Sequence, residues 1–134
     1  MRLFIFAVAW TCATFAVTLA YADNYVRDGD TIVIDDVPIR LKGLSCAEKG
    51  SELGDAQTAY LKQWMSTART VDCKLTGETT YDRQVGWCEV DGIDIGAAMI
   101  TNAYCQPCRR YDTDGKYADL PITGVVPKYC NRRK

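Results

Sequence analysis

Three carboxylates and two guanidiniums, carried on three short segments, are the side chains of this sequence best suited to chemistry. Val26-Arg-Asp-Gly-Asp-Thr31 presents Asp28 and Asp30. Ile39-Arg-Leu-Lys-Gly-Leu-Ser-Cys-Ala-Glu48 presents Arg40 and Glu48, and Tyr81-Asp-Arg83 presents Arg83. A guanidinium stays charged and donates in a planar fork, so a pair of them suits an oxyanion such as phosphate. Carboxylates hold hard cations or take a proton from water. The chain has no histidine, which excludes imidazole acid–base chemistry and histidine-ligated metals. A base here is a carboxylate, a lysine, a tyrosine or a metal-bound hydroxide. Each segment taken singly has an ordinary structural use: a turn into a strand, the lead-in to a helix, a polar hairpin tip.

These segments need elements to position them. Thr31 to Ile34 is β-branched, Asp35-Asp36 marks a turn, and Val37 to Leu44 resumes with Ile39 and Leu41 alternating against Arg40 and Lys42. The pattern predicts a hairpin over 25–44 with the two basic residues on one face. Glu52 to Ala68 carries Leu53, Ala56, Tyr60 and Trp64 near helical spacing behind a capping Ser51. Thr70–Leu75 and Val85–Val90 read as strands joined by a polar connection, and Asp91-Gly92 closes the second. Ile93 to Tyr104 reads as a second helix, and beyond about residue 105 the chain is irregular. Strands, helix, strands, helix in a short chain suggest a mainly β domain of OB type, a five-stranded Greek-key barrel with helices.

Compartment follows from the ends and the cysteines. Met1-Arg2, an apolar run from Leu3 to Leu19 and the small-residue pattern Ala20-Tyr21-Ala22 predict a signal peptide over 1–22 and one exported domain over 23–134. The expected location is periplasmic or secreted, with no stable membrane association after cleavage and a monomeric state. The chain carries 16 Lys and Arg against 17 Asp and Glu; loss of Arg2 with the leader makes it one unit more negative. Any polyanion must therefore meet a local basic patch, such as Arg109-Arg110-Tyr111 or the terminal Arg132-Arg133-Lys134. Cys12 leaves with the leader, and six cysteines remain, an even number that reads as a disulfide framework. Cys105-x-x-Cys108 lacks the second pair and the histidines of a zinc site. A strand hairpin centred near Thr80 and Tyr81 sets Cys73 opposite Cys88, within disulfide reach. Cys108–Cys130 is the next pair proposed, which leaves Cys46–Cys105.

The three motifs, in this order and spacing, resemble the staphylococcal nuclease (thermonuclease) family over about residues 25 to 111. Its pattern is roughly V-x-D-G-D-T, I-R-L-x-G-I-D-A-P-E and Y-G-R on an OB-fold. The resemblance implies low-specificity hydrolysis of DNA or RNA, assisted by a divalent metal of calcium type. It assigns Asp30 to the metal with Asp28 close by, Arg40 and Arg83 to the reacting phosphate, and Glu48 to the attacking water. Tyr81 and Tyr111 fall near the nucleotide pocket.

The departures weigh on that expectation. Ser45 stands where the family has a second metal-binding aspartate, which weakens a hard-cation site. Cys46 and Ala47 replace the next two residues, and Asp82 replaces a glycine beside Arg83. The alternative is a catalytically weakened OB-fold binding module for an oligonucleotide or oligosaccharide. Similar small exported nuclease-like proteins are associated with exopolysaccharide (succinoglycan) biosynthesis, which makes polymer production a candidate setting.

Overall fold

A computed structural model describes residues 24–132. The leader expected over 1–22, and Arg133 and Lys134 of the basic tail, lie outside the described residues. The chain forms strands β1 (Tyr25–Asp28), β2 (Thr31–Ile34), β3 (Val37–Leu41) and β4 (Leu44–Cys46), then helix α1 (Glu52–Ser66). Strands β5 (Val71–Thr80), β6 (Arg83–Val90) and β7 (Ile93–Asp94), helix α2 (Ile95–Thr101) and strand β8 (Cys105–Pro107) follow, with a final 3₁₀ turn at Lys128–Asn131. The domain is mainly β with two helices. Its principal sheet is mixed, runs β1-β2-β3-β6-β5 with β7 beside β6, and does not close into a barrel.

Turn chemistry sets the first meander. Asp35 and Asp36 both take positive φ, 49° and 64°, as a two-residue hairpin turn requires. Thr31 then pairs with Arg40 and Ile32 with Ile39. The run expected to continue unbroken to Leu44 divides at Gly43, which takes φ 87°. A Cβ there would lie 2.9 Å from the ring of Tyr117. Beyond that break β4 leaves the main sheet and pairs with β8, Cys46 opposite Cys105.

The second hairpin has Cys73 opposite Cys88, as its centre predicts. Its strands reach further than the polar composition suggests, because Gly77 at φ 84° absorbs an irregularity and lets Thr79 and Thr80 rejoin the ladder. Conversely α2 starts later than expected. Asp94 caps it, accepting from the Ala97 N–H at 2.7 Å. Ile93 and Asp94 are spent on β7, and Ala103 at φ 62° ends the helical path.

The core comprises Ile32, Leu41, Leu44, Leu61, Val90, Ile95, Met99 and Ile100, all buried. Tyr117, from the irregular C-terminal segment, joins it and donates its hydroxyl to Asp94 Oδ1 at 2.8 Å. Burial, and then the neighbouring Asp94 that accepts its hydrogen bond, hold that phenol well above its usual pKa. Disulfides join Cys46 to Cys105, Cys73 to Cys88 and Cys108 to Cys130. Three such bonds are consistent with an oxidising, exported location.

Candidate functional site

One parallel pairing assembles the site. β3 runs parallel to β6 with Arg40 against Val85, so residues on the outer face of β3 stand beside Arg83 at the start of β6. The Asp28-Gly29-Asp30 turn is held against this pair from behind. Gln57 of α1 is buried against Gly29, where a Cβ would lie 2.7 Å from its side chain. The Cys46–Cys105 disulfide lies 3.4 Å from the Gly29 carbonyl oxygen.

Asp30 is the hub. Arg40 Nη2 lies 3.0 Å from its carboxylate and Arg83 Nη1 lies 4.0 Å away. The Thr31 hydroxyl donates to Asp30 Oδ1 at 2.8 Å and accepts from Arg83 Nη1 at 3.1 Å. Asp28 accepts from the Asp30 backbone N–H at 3.2 Å. Arg40 also donates to the Leu41 carbonyl at 2.6 Å and the Leu44 carbonyl at 3.1 Å, which fixes its fork. Burial pushes the Asp30 carboxyl up to about 6; Asp28 adds to this, and Arg40 opposes it without cancelling it.

In front of this cluster lies a cleft of about 710 Å³ whose wall includes Arg40, Arg83, Tyr81, Tyr111, Arg110 and Tyr129. Tyr81 is 96 % exposed at the hairpin tip, with the Arg83 guanidinium 5.8 Å from its ring centre. Asp82, the acidic residue beside Arg83, is ion-paired with Arg27 at 2.8 Å. That bond holds its carboxyl below the usual range, and the pairing offsets its charge at the cleft rim.

Arg40, Arg83, Tyr81 and Tyr111 thus line one cleft, with Asp30 paired to Arg40 behind it and Asp28 bonded to the Asp30 N–H. Glu48 is outside the residues that line this cleft. It is exposed on the turn before α1, where its carbonyl accepts from the Ser51 N–H and hydroxyl at 3.2 and 2.7 Å. Among the described residues its carboxylate forms no hydrogen bond or ion pair. Lys42, expected on the outer hairpin face, is nearly buried there, 3.4 Å from both Glu78 and Asp114. Tyr129 was not apparent from the motifs. The signal that could have revealed it is the Cys108–Cys130 pair, which returns the residue before Cys130 to the side of Tyr111.

A calcium-type ion takes 6–8 oxygen ligands. Asp30 already carries Arg40 and the Thr31 hydroxyl. Asp28 is turned to a backbone N–H, and the buried Ser45 hydroxyl shares a hydrogen bond with the Tyr129 hydroxyl at 3.2 Å. No group of three or more Asp, Glu, Cys or His side chains gathers as a metal site among the described residues. As these donors are arranged they do not fit a resident hard cation. The Arg40 and Arg83 guanidiniums on the cleft wall are the groups that suit an oxyanion. Comparison of the chain with family models and with curated proteins gives no match.

Proposed function

We propose that the protein is an exported phosphodiesterase of staphylococcal nuclease type, acting on single-stranded DNA or RNA with little sequence preference. The observation that carries this reading is the convergence of Arg40 and Arg83 on the back of a cleft flanked by Tyr81 and Tyr111. A phosphodiester entering there takes both guanidiniums on its non-bridging oxygens, where charge grows as water attacks phosphorus. The tyrosines suit unstacked bases. Glu48 is the base that the motif nominates. The strand order, with a helix before the second hairpin and β3 parallel to β6, supports an opened OB-type barrel as the scaffold.

A specific observation favours a second reading, a binding module without hydrolysis. Glu48 is not among the residues that line the cleft, and the donors around Asp30 do not make a cation site. Such a module takes an oligonucleotide or an acidic oligosaccharide, and the latter suits a role in exopolysaccharide production.

The test incubates the oxidised protein with single-stranded DNA and with RNA under calcium, magnesium, manganese or chelator. Glu48→Ala and Arg83→Ala serve as comparisons. Cleavage lost in both variants supports the phosphodiesterase. Binding that needs Arg83, without cleavage under any ion, selects the module.

A further inference from the structure

The stretch between Cys108 and Cys130 contributes to the cleft as well as to the core. Its two ends are joined by the disulfide and by the Arg110 N–H donating to the Cys130 carbonyl at 3.0 Å. This closure sets Tyr129 beside Tyr111, ring centres 6.3 Å apart and tilted by 53°. The Tyr129 hydroxyl is anchored to buried Ser45, and Arg110 lies 5.8 Å from the Tyr111 ring centre. Both rings keep exposed surface, 39 % for Tyr111 and 47 % for Tyr129. A large apolar ring left open on a cleft wall, with its polar end tied down, is a rigid platform awaiting a flat partner.

We propose that Tyr129 completes a second base platform with Tyr111, separate from Tyr81. The ligand then is a single strand with at least two unstacked nucleobases on either side of the phosphate held by Arg40 and Arg83. This rests on the phosphodiester reading above. Ser45, at the position where the resembled family carries an acidic residue, serves here to orient the Tyr129 ring.

The test measures the affinity of the oxidised protein for oligothymidylate and for an abasic deoxyribose-phosphate oligomer of equal length. The two probes carry the same phosphates and differ only in bases. The expected wild-type preference for oligothymidylate is on the order of tenfold or more. Tyr129→Ala removes most of that preference and leaves the abasic probe bound within about twofold, a change too small to reflect lost phosphate contacts. Tyr129→Phe keeps the ring and keeps most of the preference. An unchanged preference in Tyr129→Ala, or an equal loss for both probes, overturns the platform. If Arg83→Ala still weakens both probes in that case, the phosphodiester reading survives alone. Failure of the folded wild-type protein to bind either probe overturns both.

Discussion

The Asp30 carboxylate lies 3.0 Å from Arg40 Nη2, yet it is harder to ionise than a free aspartate. Removal from water costs the charged form more than one guanidinium returns, and Asp28 adds repulsion. A carboxyl whose folded value is raised from 3.8 to about 6 contributes stability that is fully present below its unfolded value. That contribution is lost as pH rises through 6.

The expected outcome is a fall in unfolding free energy between about pH 4 and pH 7 that is traceable to Asp30. Asp30→Asn flattens this part of the profile. Urea titrations in chelator across that range measure it, and an equally steep profile in the variant rules out the assignment.

Arg83→Ala removes a guanidinium whose hydrogen bonds, among the described residues, reach the Thr80 carbonyl and the Thr31 hydroxyl. Cleavage of single strands should fall by roughly 10²–10³-fold with the melting temperature nearly unchanged. Arg40→Ala loses cleavage too, and it also loses stability, since Arg40 holds the Leu41 and Leu44 carbonyls. Initial rates with parallel thermal melts separate the two.

Gly29→Ala forces a Cβ against the Gln57 side chain, which is fully buried and hydrogen-bonded to the Ala47 carbonyl. Overpacking of this kind costs about 1–3 kcal/mol. The cost in the double variant Gly29→Ala/Gln57→Ala should be smaller than the sum of the single ones, because the two sites share one contact. Strict additivity by chemical denaturation would contradict the packing argument.

Replacing Cys46 and Cys105 together by serine opens a loop with a sequence separation of 59; the same change at Cys73 and Cys88 opens one of 15. On loop entropy the first loss exceeds the second by about 1 kcal/mol. Denaturation of both oxidised double variants gives the comparison.

The sequence makes the Cys73–Cys88 pairing legible because a short hairpin has one register once its centre is known, and alternation does the rest. The same local logic reads α1 from its spacing and its Ser51 cap. It fails where a remote contact decides. The Gly43 break depends on Tyr117, 74 positions later, and no periodicity carries that information. The start of α2 was obscured because Ile93 continues an apolar pattern while Asp94 caps. Arg40, Asp30 and Arg83 are visible as motifs, but their meeting depends on the parallel contact of β3 with β6. Glu48 has the motif's spacing, and it is exposed on the turn before α1, outside the residues that line the cleft.

That parallel contact also sets a kinetic order. The β1–β3 meander and the β5–β6 hairpin are local in sequence. Their union must wait until α1 and its flanking connections have been laid across, a closure of high contact order. The oxyanion grip therefore depends on this long-range closure. Refolding followed through ligand capture should lag behind refolding followed through secondary structure.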